Sequence, residues 1–375
     1  MTIKNEFKIT CTTGLALFAM FFGAGNMVFP LAIGVHAGNH LFVAWAAFII
    51  SGVGIPFLGL FAISLYDGDY WKFFKILGKY LSFAVVTFIL LIIGPLFAAP
   101  RTEDITFSTL QPFMPGGLTN NYFSIIYFTV ILLLSFKHTL VIDIIGRFIS
   151  PVKIVAFVTL IICSLATAHA LLPIHHSAPQ VFSHSLSVGY GTMDLLAAFF
   201  FCHVAYKNIV RKCLAEDIHD KKIIMRITLK SCMIGAFLIA AIYTGFMLSA
   251  ATHATALQHT ATPAMINHIA HLVLGEYGSL FVCVCVSLAC IATATALAVV
   301  SANFFYKTIF RKKAPRAACL LFVLALMYCM SILGFSDIMA LATPMLNVLY
   351  PCLIVLCIVN IYRKLKSPAL SAIEA

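Results

Sequence analysis

Apolar residues fill this chain in long blocks, and short polar stretches separate the blocks. A helix needs about 20 apolar residues to cross the hydrocarbon core of a bilayer, because each residue adds about 1.5 Å. Hydropathy predicts ten such segments, at residues 9–35, 41–65, 81–100, 122–136, 152–172, 188–205, 229–251, 278–304, 317–334 and 338–361. The third is expected to continue as a helix toward residue 110. The pattern therefore predicts an all-α polytopic membrane protein.

Composition supports this fold class. Of the 375 residues, 62% are hydrophobic and 10% are charged, and the mean hydropathy is +1.03. An ordinary soluble domain has about a quarter of its residues charged. The formal net charge of +11 does not indicate a nucleic-acid partner, because the basic residues lie in short connections between hydrophobic segments. We expect a lipid bilayer and no nucleic acid around this chain.

The distribution of lysine and arginine predicts the orientation. Every one except Arg101 lies before residue 9, after residue 361, or in the connections 66–80, 137–153, 206–230 and 306–316. The alternate connections, at 35–40, 111–121, 173–187, 252–276 and 335–337, contain none. Because basic residues mark the cytoplasmic side, the pattern predicts ten spans with both termini in the cytoplasm.

The middle of the first segment is poorly suited to a continuous helix. Gly23, Gly25 and Asn26 lie near its midpoint, and Pro30 follows. Glycine is unfavourable inside a helix, and proline lacks an amide donor. Broken backbone at membrane depth is tolerated where it is buried in protein or lines a watery cavity, so the pattern indicates a substrate or ion site. Close Gly-x-Gly packing between helices is the alternative interpretation.

The sixth segment shows the same feature. It opens with Gly189 and Gly191, and Asp194 follows at or within the membrane. Intramembrane acids are rare and usually functional. Asp194 is a candidate to hold a substrate ammonium, to carry a proton, or only to stabilise unwound backbone.

Interrupted first and sixth helices predict an internal repeat. Five spans in each half place the second half in the membrane with inverted topology, which is typical of secondary transporters. We predict two inverted five-helix repeats, at residues 1–172 and 173–362, and a short cytoplasmic tail at 363–375.

The first break would present both backbone amide donors and backbone carbonyl acceptors. The amides of Gly25 and Asn26 would begin a half-helix, and helix N-termini attract anions such as an amino acid carboxylate. Carbonyls of Ala19, Phe22 and Gly23 would end the preceding half-helix and could coordinate Na⁺ or an ammonium. The Asn26 side chain is an alternative candidate to cap the second half-helix.

The eighth segment has a face of small residues. Ala289, Ala292, Thr293 and Ala296 share it at helical spacing. The Ala289 carbonyl and the Thr293 hydroxyl could complete a cation site with the first break. Simple helix packing, with Thr293 bonded back to its own helix, is the alternative.

The third segment ends with Arg101, close to Glu103 and Asp104. A structural ion pair of Arg101 with Glu103 is one expectation, and an outer gate is the other. No spacing typical of a catalytic triad, metal site or nucleotide loop accompanies these residues. The sequence therefore predicts a protein that is not an enzyme and needs no cofactor beyond a coupling ion.

The chain resembles the bacterial branched-chain amino acid:cation symporters, the BrnQ-type (LIVCS) family. The matching pieces occur in the same order along nearly the whole chain. They are Phe22-Gly23-Ala24-Gly25-Asn26 through Phe29-Pro30, Ile93-Gly94-Pro95 through Pro100-Arg101-Thr102, Thr192-Met193-Asp194 with Leu195 and Ala197, Leu288-Ala289-Cys290 with Thr293, and Leu349-Tyr350-Pro351.

The resemblance implies a LeuT-type fold in the bacterial cytoplasmic membrane, and uptake of leucine, isoleucine and valine with Na⁺ or H⁺ by alternating access. No obligate protein partner is expected. The expected substrate-binding residues are Gly23, Ala24, Gly25, Asn26, Thr192, Met193 and Asp194. The expected Na⁺ ligands are Ala19, Phe22, Ala289 and Thr293.

The sequence departs from the family pattern in two places. Family members usually carry two further helices, whereas this chain stops soon after Lys366. Ala292 stands where the family tends to have a second hydroxyl beside Thr293, which should weaken a sodium site and leaves the coupling ion open. A proton-coupled carrier in which Asp194 titrates, an amino acid exchanger, a channel and a non-transporting amino acid sensor are the alternative functions.

Overall fold

The computed structural model describes residues 3–136, 150–168 and 176–366. Within these ranges the regular structure is helical throughout, with no strand. The helices are α1 (Ile3–Phe21), α2 (Gly25–Ala37), α3 (Leu41–Ile49), α4 (Ile55–Ser64), α5 (Tyr70–Phe74), α6 (Lys79–Leu91), α7 (Pro100–Leu110), α8 (Asn120–Phe136), α9 (Ser150–Ala166), α10 (Ala178–Tyr190), α11 (Asp194–Ala215), α12 (Lys221–Thr252), α13 (Ala254–Leu257), α14 (Met265–Phe304), α15 (Arg316–Ser331) and α16 (Gly334–Lys366).

These helices account for the ten predicted segments. Six stretches are long and apolar enough to cross a membrane, and three shorter apolar helices join them. The six are Gly25–Ser64, Lys79–Phe113, Ala178–Ala215, Lys221–Thr252, Thr262–Ile309 and Gly334–Lys366, and the shorter three are Asn120–Phe136, Pro151–Ala166 and Arg316–Ser331. The all-α membrane fold is confirmed.

The first segment is broken where the glycines predicted it. The helix α1 ends at Phe21, and α2 begins at Gly25. A Cβ atom on Gly23 would lie 3.0 Å from the Thr293 hydroxyl oxygen on α14. The break and the close helix contact, which the sequence left as alternatives, therefore occur together.

The sixth segment is also broken, but its predicted start at residue 188 is wrong. The helix α10 already begins at Ala178, so Gly189 and Gly191 lie at its end rather than at the opening of the span. Polar residues along α10, among them Gln180, Ser183 and Ser187, lower its hydropathy and hide it from a hydropathy window. The break itself spans residues 191–193, with Met193 in the left-handed region at φ 62°.

The third and eighth segments are bent as well. A wide helical turn at Ile92–Leu96 contains a non-helical Gly94 and Pro95, after which α7 starts at Pro100. The helix α14 changes direction at Gly275, which has φ 69°. The residues from Met265 to the kink form a helix inside the predicted outer connection 252–276, and the eighth segment starts just after Gly275, close to the predicted residue 278.

Packing brings the two breaks together at the centre. The helices α1 and α2 lie against α12, α11 lies against α4 and α1, and α14 lies against α7 and α9. One large hydrophobic core includes residues from most of these helices.

Some predicted features lie outside the described residues. These are the basic residues Lys137 and Arg147, part of the outer connection 173–187, and the tail from residue 367.

Lys153 was assigned to the inner connection 137–153, and that assignment is wrong. It lies in the first turn of α9, which starts at a Ser150–Pro151 pair, and its side chain is buried. Proline in a first helical turn is a common helix start.

Candidate functional site

A cavity lies between the broken first and sixth segments. Nine of the residues predicted from the sequence line it, and they come from both breaks, α7 and α14. They are Gly23, Ala24, Gly25, Asn26, Arg101, Thr192, Met193, Asp194 and Thr293. The remaining lining residues are Met20, Phe21, Ile93, Ala98, Thr102, Ala197, Phe201 and Leu297, so the rest of the wall is mainly apolar.

A buried polar cluster joins the first break to the sixth. The Asn26 side-chain amide donates to the Asp194 carboxylate over 2.7 Å and also to the Tyr243 hydroxyl. The Tyr243 hydroxyl in turn donates to the same Asp194 oxygen over 3.2 Å. All three side chains are buried. The Asn26 side chain thus links α2 to Asp194 and Tyr243 and makes no capping bond to α2, so the capping role that the sequence allowed is wrong.

Arg101 supplies the positive charge of this cavity. Its side chain is 3% exposed, and its guanidinium donates to the Gly191 carbonyl and, over 3.0 Å, to the Thr192 carbonyl. The guanidinium also lies 5.2 Å from the centre of the Phe29 ring. A Cβ on Gly25 would lie 2.8 Å from its Nη2 atom. Arg101 therefore holds the break in the sixth segment and reaches the amino end of α2.

The structure does not bring Arg101 and Glu103 together as an ion pair. The Glu103 carboxylate accepts a hydrogen bond from the Ser124 hydroxyl over 2.8 Å. The four salt bridges among the described residues include neither Arg101 nor Glu103. Two residues at positions i and i+2 of one helix point to different sides, so the ion pair expected from their proximity in sequence is not formed.

A second buried cation meets the first break. The Lys153 ammonium donates to the Phe22 carbonyl over 3.0 Å and lies 5.4 Å from the centre of the Phe22 ring. This carbonyl is one of the groups that the sequence predicted as a cation ligand. The cation that contacts the Phe22 carbonyl in the structure is therefore the Lys153 ammonium.

The eighth segment approaches the first break as its small-residue face predicted. The Thr293 hydroxyl lies beside Gly23 and donates over 3.0 Å to the Ala289 carbonyl. Thr293 is thus bonded back to its own helix, which was the alternative role expected from the sequence. Among the predicted cation ligands, Thr293 lines the cavity, whereas Ala19, Phe22 and Ala289 do not.

Sequence reasoning missed Lys153 and Tyr243 as parts of the site. Lys153 is the last basic residue of the predicted connection 137–153, so it resembled a cytoplasmic anchor. The Ser150–Pro151 helix start just before it was the available signal. Tyr243 is a tyrosine inside an apolar segment, and buried tyrosines usually find a partner for the hydroxyl. No pattern in the sequence indicates which partner the Tyr243 hydroxyl has.

Two discontinuous helices that face one buried cavity are typical of the LeuT-type fold. MhsT in complex with L-phenylalanine matches with a TM-score of 0.57 and 18% identity, over 85% of this chain and 78% of that chain. Inward-facing Mhp1 matches with a TM-score of 0.62 and 13% identity, over 90% and 73%. A Na⁺-coupled sialic acid symporter matches at 0.59 and 13%, over 94% and 78%.

The chain belongs to the branched-chain amino acid transport protein family, whose model matches residues 6–373. The branched-chain amino acid permease BrnQ of Salmonella typhimurium is 29% identical over 97% of this chain and 82% of its own length. A putative branched-chain amino acid carrier protein of Staphylococcus haemolyticus is 30% identical, over 92% and 80%. BrnQ of Escherichia coli K12 is 28% identical, over 97% and 82%. The chain is accordingly a multi-pass membrane transport protein and not an enzyme.

Proposed function

We propose that this protein imports leucine, isoleucine and valine across the bacterial cytoplasmic membrane as a secondary active transporter coupled to a cation, Na⁺ or H⁺. The observation that carries the proposal is the cavity between the two breaks, which combines a cationic end, an anionic end and an apolar wall. A zwitterionic amino acid with an aliphatic side chain needs these three features. The names of the family and of its relatives agree with this substrate class.

The substrate carboxylate is assigned to the amino end of α2. The first amides of a helix have no partner within the helix and favour negative charge. The Arg101 guanidinium, close to Gly25, adds a full positive charge beside them. Glycine at position 25 keeps this approach open, since a methyl group there would meet both Arg101 and the Phe29 ring.

The aliphatic side chain is assigned to the apolar wall. Ile93 and Ala98 from the third segment, Ala197 from α11 and Leu297 from α14 line the cavity. Branched aliphatic groups gain free energy by leaving water for such a surface.

The substrate ammonium is assigned to the side of Asp194, near the carbonyl of Gly23. The Asp194 carboxylate is held in place by Asn26 and Tyr243 and has no basic partner within salt-bridge distance among the described residues. Its negative charge is therefore available to a bound cation. The polar cluster also ties α2 to α11 and α12, so it links substrate binding to the packing of the two breaks.

Alternating access is proposed to use the two halves of the chain. Residues 1–172 and 173–362 form the proposed inverted repeats, with both termini in the cytoplasm as the lysine and arginine distribution predicts. Movement of one set of helices against the other would open the same cavity to each side in turn.

Uptake of radiolabelled leucine into proteoliposomes tests the proposal. We expect accumulation driven by an imposed cation gradient, and competition by isoleucine and valine but not by lysine. Gradients of Na⁺ and of protons are applied separately to find the coupling ion. Leucine counterflow without accumulation under either gradient would identify an exchanger, and leucine binding without any uptake would identify a sensor; both results would contradict the proposal.

A further inference from the structure

Lys153 lies deep in the protein although lysine is normally exposed. The side chain is 4% exposed and extends from the first turn of α9, which packs against α14. Its ammonium has no carboxylate partner among the residues that the structure describes. A buried charge without compensation is costly, so the surroundings of this ammonium must themselves favour a cation.

The end of α1 provides such surroundings. The last carbonyls of a helix lack partners within the helix and carry partial negative charge. The ammonium donates to the carbonyl of Phe22, the residue directly after α1, and the centre of the Phe22 ring lies 5.4 Å away. Aromatic faces attract cations. Lys153 therefore occupies a position built for positive charge, at the break of the first segment.

The remaining groups at this position do not fit a sodium ion. Hard cations need several oxygen ligands. Of the oxygens predicted for sodium, that of Phe22 already accepts from Lys153, and that of Ala289 accepts from the Thr293 hydroxyl. Ala292, one residue before Thr293, contributes no side-chain oxygen. A sodium ion added here would also be repelled by the ammonium, and such repulsion is strong in a medium of low polarity.

We propose that the Lys153 ammonium is a tethered cation that takes the place of sodium between α1 and α14, so that leucine transport by this protein does not depend on Na⁺. The inference rests on the proposed function for its substrate and deepens it by excluding one of the two coupling ions at this site. Lys153 is a positioning residue here: it holds the end of α1 and does not line the substrate cavity.

Wild-type protein in proteoliposomes gives the first test, with ²²Na⁺ and radiolabelled leucine as probes. We expect equal leucine uptake when external Na⁺ is replaced by choline at constant proton gradient, and no saturable ²²Na⁺ binding. Saturable ²²Na⁺ binding that strengthens leucine binding would overturn the proposal. If leucine is not transported under any gradient, the proposed function fails, while ²²Na⁺ binding still decides the inference.

Variants then test the replacement directly. The double variant Lys153→Met with Ala292→Ser removes the ammonium and supplies the missing hydroxyl. We expect it to bind ²²Na⁺ and to show leucine uptake stimulated by Na⁺ about fivefold or more, the lower range of typical coupling between two ligands. Lys153→Arg keeps the charge and should stay insensitive to Na⁺.

Lys212→Met is the matched control, because Lys212 also contacts α1 but donates to the side chains of Thr12 and Thr13, 3.2 and 3.5 Å away, near the middle of that helix and away from its broken end. It should behave like wild type toward Na⁺. A double variant that transports leucine yet neither binds ²²Na⁺ nor responds to it would overturn the proposal. If the variants do not fold, the wild-type measurements decide alone.

Discussion

The two breaks differ in how they use a buried cation. At the sixth segment, Arg101 binds the carbonyls of Gly191 and Thr192 and also faces the substrate cavity. At the first segment, Lys153 donates to the Phe22 carbonyl and does not line the cavity. Both side chains donate to buried backbone carbonyls just after a half-helix ends. Only Arg101 has donors left in a position to meet a substrate.

Arg101 thus has the charge that can bind substrate, whereas the charge of Lys153 serves the backbone. A planar guanidinium has five donors, so it can hold two carbonyls and still present N–H groups to a carboxylate. An ammonium is a compact point charge on a flexible stem, which suits the position of a small inorganic cation. Interchanging or removing the two cations should therefore have separable effects.

Removal of Arg101 should have the largest effect. Arg101→Met takes the charge from the carboxylate end of the cavity and leaves two carbonyls of the sixth break without donors. Charge-assisted hydrogen bonds are about twice as strong as neutral ones, so we expect leucine affinity to fall about 100-fold. Equilibrium leucine binding measures it, with Arg101→Lys as the partly active control. Unchanged affinity would remove Arg101 from the site.

A methyl group at Gly25 should have the next largest effect. In Gly25→Ala the added carbon would lie 2.8 Å from Arg101 Nη2 and 3.2 Å from the Phe29 ring. The displacement of Arg101 should lower leucine affinity about tenfold, equivalent to about 1.4 kcal/mol. Gly54→Ala is the control, because its new Cβ would have one neighbour, 3.8 Å away. Equal affinities in the two variants would contradict the assigned carboxylate position.

Loss of the Tyr243 hydroxyl should have a smaller effect. Tyr243→Phe removes one donor to Asp194 and one acceptor for Asn26 while keeping the ring that packs on Phe48. A net hydrogen bond contributes about 1 kcal/mol, so leucine affinity should fall about fivefold. Leucine binding with the thermal midpoint measured alongside distinguishes a site effect from general destabilisation. A lower midpoint with unchanged affinity would make the cluster purely structural.

The smallest effect is expected for the surface ion pairs that Arg226 and Lys230 form with Glu6. Glu6, ahead of the first hydrophobic segment, pairs with Lys230 over 3.0 Å and with Arg226 over 2.9 Å, and both partners are exposed by about half. The hydrogen bond from Lys230, aided by Arg226, lowers the pKa of Glu6. A lowered pKa in the folded state stabilises the fold above the ordinary carboxyl pKa, and this stabilisation is lost as pH falls through the lowered value.

Glu6→Gln should therefore lower the thermal midpoint by about 2 °C near neutral pH, because surface pairs contribute about 1 kcal/mol or less. The difference from wild type should disappear in acid. Thermal unfolding in detergent across this pH range measures it. A difference that grows as the pH falls would contradict the assigned pairing.

Much of the fold could be predicted from the sequence because lipid imposes a simple rule on helix length and polarity. The ten segments and the first break follow from hydropathy and from Gly23, Gly25 and Pro30. The helix α10 could not be found in this way, since polar residues such as Gln180 and Ser183, both of them exposed, lower its hydropathy. Hydropathy depends only on the residues of a segment and carries no information about which helices will pack against it.

The site was predictable where backbone chemistry decides it and not where tertiary packing does. Nine predicted residues line one cavity. They could be predicted because glycines and polar residues inside apolar segments mark both breaks. The partners of Asn26, Arg101 and Lys153 are 168, 90 and 131 residues away in the chain. No local pattern specifies such contacts. Lys153 was not recognised as a buried residue because it was counted with the basic residues of the predicted connection 137–153.

The central claim is that the protein itself supplies the cation at the first break. Leucine binding to purified wild-type protein, titrated once in sodium chloride and once in choline chloride at the same pH and ionic strength, tests it most directly. We predict saturable binding with one site per chain and the same Kd in both salts. Binding that appears only in sodium chloride, or that is at least about fivefold tighter there, would contradict the account.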